Sequence, residues 1–173
     1  MRKTILFIAC SLDGFIARED GEIDWLFTDQ DYGYAEFIRN VDAILMGRKT
    51  YEQCLTFGDW PYPGKECFVF THGKIDDSRI HVSTNPVLTT RGLIHKPGKD
   101  IWIVGGSEIV KELLNAQLTD ELVISIHPII LGAGIPLFKQ INETRLKLID
   151  VIKFETGLLQ IKYEVDFDLP TGL

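Results

Sequence analysis

Twice in this chain a short apolar run stops at glycine and a helical pattern starts at once. The first is Ala43-Ile44-Leu45-Met46, followed by Gly47-Arg48-Lys49-Thr50. The second is Ile101-Trp102-Ile103-Val104, followed by Gly105-Gly106-Ser107. Apolar runs this short read as buried strands. A strand that turns through glycine into a helix leaves the first N–H groups of the helix unpaired, and those groups favour anions. Arg48 and Lys49 add two cations at the first junction, and Thr50 adds a hydroxyl. Taken alone the first junction reads equally well as a solvated basic turn; the second junction tips the balance. Two anion sites at the ends of two strands suit a pyrophosphate and a separate phosphate, as in a dinucleotide carrying a 2′-phosphate.

The rest of the chain alternates in the same way. Residues 4–10 form an apolar, β-branched run short enough for a central strand buried on both faces. A long loop is expected over residues 11–28, and long loops after a central strand carry function. It contains Trp25, which is either a core plug or a pocket wall. Residues 29–40 read as a helix, with Tyr34, Phe37, Ile38 and Val41 as its stripe. Asp29 and Asp31 sit at its start, where carboxylates suit the helix dipole. A helix over residues 50–55, a Gly- and Pro-rich loop over 57–64, and strands over 66–70 and 80–82 follow. A helix interrupted by Gly92 is expected over 87–95. After the second junction a helix runs to about Asn115 with Ser107 as N-cap, and a strand is expected over 121–130. His127, before Pro128, reads as structural or solvent-facing. A hairpin closes the chain, residues 145–154 and 158–167 around Glu155-Thr156-Gly157. Its second arm alternates so that Leu159, Ile161, Tyr163, Val165 and Phe167 share one dry face. The tail after Asp168 is polar or small and is expected to fray. The fold class is therefore α/β: a mixed central sheet, mainly parallel, flanked by helices, with an antiparallel C-terminal hairpin. At 173 residues the chain reads as a single domain, residues 1–173.

Composition narrows the function. The formal net charge is −7 and no long basic run offsets it, which argues against nucleic acid or an anionic membrane as partner. A local pair such as Arg48 and Lys49 still dominates its own pocket. Cys10, Cys54 and Cys67 have no CxxC spacing and lie in or beside apolar stretches, so they read as reduced structural cysteines rather than metal ligands. No signal peptide or membrane-spanning run is read, and a cytoplasmic protein is expected.

Four motifs in order carry a family resemblance: Ser11-Leu12-Asp13-Gly14-Phe15-Ile16-Ala17, Leu45-Met46-Gly47-Arg48-Lys49-Thr50-Tyr51, Ile103-Val104-Gly105-Gly106, and Pro128-Ile129-Ile130-Leu131-Gly132-Ala133-Gly134-Ile135-Pro136-Leu137-Phe138. Together the set resembles the RibD C-terminal domain family of riboflavin-biosynthesis reductases, which has the dihydrofolate reductase fold. The resemblance spans residues 4–167 and implies an NADPH-dependent reductase, commonly a homodimer. By this resemblance Ala9 and Ile16 meet the nicotinamide carboxamide. Gly47, Arg48, Lys49 and Thr50 hold the pyrophosphate and the 2′-phosphate, and Thr71 and His72 touch the adenosine phosphate end. Val104, Gly105, Gly106, Ser107 and Glu108 form the junction under the pyrophosphate. A basic pair at the adenosine end favours NADPH over NADH.

The implied substrate is a small heterocycle of pyrimidine or pteridine type, like 5-amino-6-(5-phosphoribosylamino)uracil. Asp31, following Trp25, falls near the carboxylate that anchors the pterin in dihydrofolate reductases, and it is equally explained as a helix-start residue. Asp13 either binds a polar substrate or holds its own turn. Two departures from the riboflavin enzymes stand out. No HxE or PCxxC of a zinc deaminase is present, and the bulky Phe15 stands where a polar or basic residue is usual, which weakens the case for a phosphoribosyl substrate. Alternatives are a true dihydrofolate reductase and a non-catalytic nucleotide-binding protein of the same fold.

Overall fold

A computed structural model describes residues 1–167. Ten strands and four helices alternate: β1 (Thr4–Ser11), β2 (Phe15–Ala17), α1 (Tyr34–Arg39), β3 (Val41–Gly47), α2 (Arg48–Cys54), β4 (Glu66–Phe70), β5 (Ile80–Ser83), α3 (Pro86–Ile94), β6 (Asp100–Gly105), α4 (Ser107–Asn115), β7 (Glu121–His127), β8 (Ile135–Pro136), β9 (Arg145–Lys153) and β10 (Leu159–Asp166). Eight strands form one sheet in the order β5-β4-β3-β6-β1-β7-β10-β9. The strands from β5 to β7 are parallel, and β10 and β9 close the sheet antiparallel. The parallel strands therefore end on the same side, where ligands of open α/β sheets bind.

Period-two alternation sends each strand's side chains to two cores. Leu6, Ala43, Leu45, Ile101 and Ile103 join Leu93, Ile109, Val110 and Leu113 of α3 and α4. Ile44, Met46, Val69 and Trp102 join Tyr51, Cys54 and Tyr62 on the opposite face, with Phe7, Tyr34 and Phe37 packed against them. Trp102 is the hub of this second core. Its ring meets Phe7, Tyr34, Phe37 and Tyr62, and its Nε1–H donates to the Phe7 carbonyl at 2.9 Å. Burial raises all three thiols, Cys10 to about 11 and Cys67 to about 12, so they are inert packing groups.

Several local expectations are corrected. The helix expected over 29–40 is only α1, because Tyr32 and Gly33 adopt positive φ of 51° and 81° and keep the chain out of the helix until Tyr34. The loop over 11–28 contains β2, which pairs with β8 in a small second sheet. β7 ends at His127 rather than Ile130, since Pro128 has no N–H to extend the ladder. The helix near 87–95 is α3, capped by Asn85 Oδ1 accepting the Leu88 N–H at 2.9 Å, and Gly92 does not break it. The N-cap of α4 is Gly106, not Ser107, whose hydroxyl donates to the Pro136 carbonyl instead. The dry face of β10 also needs revision. Leu159 is exposed while Gln160, on the other face, is buried, because its amide donates to the Tyr32 carbonyl and to Ser125 Oγ. The tail after Asp168 lies outside the described residues.

Candidate active site

The two glycine junctions meet. β3 and β6 are neighbours, with Met46 opposite Gly105, so the chain leaves both strands at one corner. A Cβ placed on Gly47 would stand 3.7 Å from the Gly106 nitrogen, and one on Gly106 would stand 4.0 Å from Thr50 Oγ1. The peptide between Gly105 and Gly106 is cis. The N-terminus of α4 opens at this corner, as does that of the shorter α2. Backbone approach is unobstructed and a hydroxyl lies alongside, which together suit a diphosphate.

The residues that the family resemblance assigns to the adenosine end form a second group. Thr71 N–H donates to the Ser83 carbonyl at 2.9 Å, and Thr71 Oγ1 accepts the Gly73 N–H at 3.1 Å. Arg48 is aimed by two contacts. Its Nε donates to Glu52 Oε1 at 2.8 Å one turn along α2, and its Nη1 lies against Gly73 so closely that any Cβ there would collide with it. The structure thus brings Arg48 to Thr71 and the neighbouring His72, although 22 residues separate Gly47-Arg48 from that turn. Lys49 and His72 are exposed at the same end. The loop beyond is pinned to α2: Asp77 accepts the Tyr51 hydroxyl at 2.7 Å and the Arg79 guanidinium at 2.6 Å, and Arg79 stacks over Trp60. Arg79, then Tyr51, holds the Asp77 carboxyl well below the usual carboxylate range. Nothing in the sequence pattern marks Asp77 or Arg79, and Tyr51 stands out only as the last residue of the motif that begins at Leu45. The only signal for Gly73 was its place two residues after Thr71, at the end of a strand.

Other site residues are placed as follows. Val104 is half-buried in β6, and Ala9 lies in β1 opposite Ser125 of β7. Ile16 packs against the first core from β2. Glu108 points outward in the first turn of α4 and pairs with Lys111 at 3.6 Å. Asp13 accepts the Ser11 hydroxyl at 2.6 Å, the Leu131 N–H at 3.1 Å and the Gly132 N–H at 2.8 Å. These donors, Ser11 foremost, lower its pKa, and they tie the turn after β1 to the loop after β7. Asp31 Oδ1 accepts the Ala35 N–H at 2.8 Å at the head of α1, so it does serve the helix start.

Trp25 is buried, with 8% of its surface exposed, and its indole N–H has no hydrogen-bond partner among the described residues. Its ring stands edge-on to His127 at 5.2 Å. His127 is not solvent-facing. It is 4% exposed at the end of β7, and its Nε2 accepts the Phe27 N–H at 3.2 Å. Burial lowers its pKa below the ordinary imidazole value, with the Ser125 carbonyl working against that shift.

Fold and site together define an α/β protein of dihydrofolate reductase-like architecture, with two glycine junctions meeting at one corner beside a basic turn. Comparison with known proteins gives the family. The RibD C-terminal domain model matches residues 2–65 and 65–160, and the chain belongs to that family. Similar proteins include YwjB of Bacillus subtilis, 41% identical over 85% of this chain and 89% of that protein. YyaP of the same organism is 36% identical over 94% of both. A putative riboflavin biosynthesis protein from Shewanella sp. PV-4 superposes with a TM-score of 0.84 at 30% identity, covering 95% of this chain and 99% of that one. A bifunctional deaminase and 5-amino-6-(5-phosphoribosylamino)uracil reductase from Thermotoga maritima shares the fold with a TM-score of 0.75 at 17% identity; the match covers 95% of this chain and 57% of that one. A pyrimidine reductase-like protein from Corynebacterium diphtheriae shares the fold as well, with a TM-score of 0.70 at 20% identity, covering 96% of this chain and 93% of that one.

Proposed function

We propose that this chain is a single-domain, NADPH-dependent reductase that transfers hydride to a small heterocycle of pyrimidine or pteridine type, resembling 5-amino-6-(5-phosphoribosylamino)uracil reductase. The observation that carries the reading is the meeting of Gly47, Thr50, Gly105 and Gly106 at one corner, with Arg48 laid across Gly73 beside it. The corner fits a diphosphate and the guanidinium fits a 2′-phosphate. Gly47, Thr50, Gly105, Gly106 and the α4 N-terminus would hold the diphosphate. Arg48, Lys49, Thr71 and His72 would hold the adenosine end, and Ala9 and Ile16 would border the nicotinamide. Bound there, the cofactor supplies a hydride. The chain's own contribution is to align and enclose. Asp13 fixes the turn next to the reacting end, and Trp25 excludes water there. Asp31 keeps one carboxylate oxygen without a hydrogen bond among the described residues, and it is the substrate-side acid of this proposal.

The partner of this reading is a second copy of the chain. β9 is exposed along its whole length, and Leu146, Leu148 and Val151 extend outward the apolar face of β10. A long apolar edge strand of this kind recruits another strand or sheet. Three free, buried cysteines support a reducing, cytoplasmic setting. Among the described residues no helix is long and apolar enough to cross a membrane.

The test is titration of purified protein with NADPH and NADH, followed by tryptophan fluorescence. NADPH oxidation is then screened with dihydrofolate and the riboflavin pyrimidine intermediate. Tight, NADPH-preferring binding with turnover of the pyrimidine is the expected result. Turnover of dihydrofolate alone would make the chain a dihydrofolate reductase. Binding without turnover of either would point to a non-catalytic nucleotide-binding protein, and no binding refutes the cofactor assignment.

A further inference from the structure

His127 is a buried imidazole with no part in the cofactor corner, yet four observations converge on it. Its Nδ1 lies 3.3 Å from the Ser125 carbonyl, which fixes the proton on Nδ1 and leaves Nε2 as an acceptor. That Nε2 accepts the Phe27 N–H at 3.2 Å. The Trp25 and Phe27 rings stand against the imidazole, at 5.2 and 4.9 Å between centroids. Trp25 leaves its indole N–H buried without a partner among the described residues. A buried donor of this kind needs an acceptor from a ligand or a water. The Trp25–Phe27 stretch thus crosses the carboxyl end of β7, where the Phe27 N–H bonds to His127 Nε2, while the segment is anchored on either side by Gln53 Nε2 donating to the Gly21 carbonyl at 3.2 Å and Gln160 Nε2 donating to the Tyr32 carbonyl at 3.0 Å.

We propose that neutral His127 is a positioning residue that latches the Trp25–Phe27 segment over the substrate side of the site, and that protonation at Nε2 releases it. The physical basis is a change of sign at one atom. Protonated Nε2 is a donor facing the Phe27 N–H donor, so the bond becomes a repulsion. The surroundings offer the imidazolium no compensating partner. β1 presents Ser11, β10 presents Leu159 and Gln160, and β7 itself presents Ser125. Of the carboxylates on adjoining segments, Asp13 is bonded to Ser11, Asp24 to Arg18, Asp29 to the Tyr32 hydroxyl, Asp20 to the Glu22 N–H and Asp31 through one oxygen to the Ala35 N–H, and none bonds to the imidazole among the described residues. The assignment of a substrate side rests on the reductase reading; the latch itself does not.

The experiment uses the full chain labelled with nitrogen-15. Hydrogen exchange at the Phe27 amide, corrected for its intrinsic pH dependence, and the Trp25 indole resonance are followed as pH falls from 8. In the wild type, Phe27 protection should drop about fivefold to tenfold, and the indole resonance should move with the same midpoint. His127→Gln, an acceptor that does not titrate, should keep its protection at every pH. His127→Phe should lack it at every pH. Protection that ignores pH in the wild type, or that survives in His127→Phe, overturns the latch. If His127→Phe fails to fold, the wild-type titration against His127→Gln decides. NADPH titrations at pH 8 run in parallel. Loss of pH response with NADPH binding intact defeats the latch alone, whereas absent NADPH binding with an intact pH response defeats the cofactor reading alone.

Discussion

Gly73→Ala isolates the role of Arg48 without touching Arg48. The φ of Gly73 lies outside the left-handed region, so alanine fits the backbone. The added Cβ meets the far end of a flexible side chain, so the guanidinium swings away and the fold is spared. Stability should change by no more than about 0.5 kcal/mol. Arg48 keeps its bond to Glu52 but no longer crosses the Thr71–Gly73 turn. A charge-assisted hydrogen bond contributes about 1.5–3 kcal/mol. The Arg48 side chain is 47% exposed, so solvent screening favours the lower end. NADPH affinity should then fall about tenfold, while NADH, which lacks the 2′-phosphate, should bind as before. The assay is fluorescence titration with both cofactors at one fixed ionic strength, because salt screens this contact. Arg48→Ala sets the limit and should show at least as large a selective loss. Parallel weakening of NADPH and NADH, or an unchanged preference in Gly73→Ala beside a collapsed one in Arg48→Ala, would refute the placement of the 2′-phosphate at this turn.

Three further outcomes are expected. Leu113→Ala empties a fully buried site between α4 and the sheet; it should cost about 2–5 kcal/mol and lower the melting temperature by about 5–15 °C. Asp77 has a folded pKa depressed chiefly by Arg79, so its stabilisation is complete above the ordinary carboxylate range and is lost as pH falls through that range toward the folded value. Asp77→Asn should therefore melt about 2–4 °C lower at pH 7, and the gap to the wild type should close progressively below about pH 4; a gap independent of pH would show that the carboxylate charge is not what matters. Leu148→Lys on β9 should convert a dimer to a monomer in light scattering while leaving the fold intact, and a wild type that is monomeric at every concentration would remove the second copy from the proposal.

The sequence by itself determined the alternating α/β order, because period-two and period-3.6 patterns and glycine junctions are local signals. It also placed two strand-to-helix turns at Gly47 and at Gly105-Gly106, where unpaired N–H groups follow from a strand running into glycine. Helix ends were less legible, because they depend on positive φ at Tyr32 and Gly33 and on where Ser107 found an acceptor. Only the tertiary structure joined Gly47 to Gly106 and laid Arg48 across Gly73, because those contacts depend on β3 lying between β6 and β4 in the sheet. The same holds for His127. Its burial and its bond to Phe27 span 100 residues, and no periodicity encodes a contact made by a loop folding back over the end of a strand.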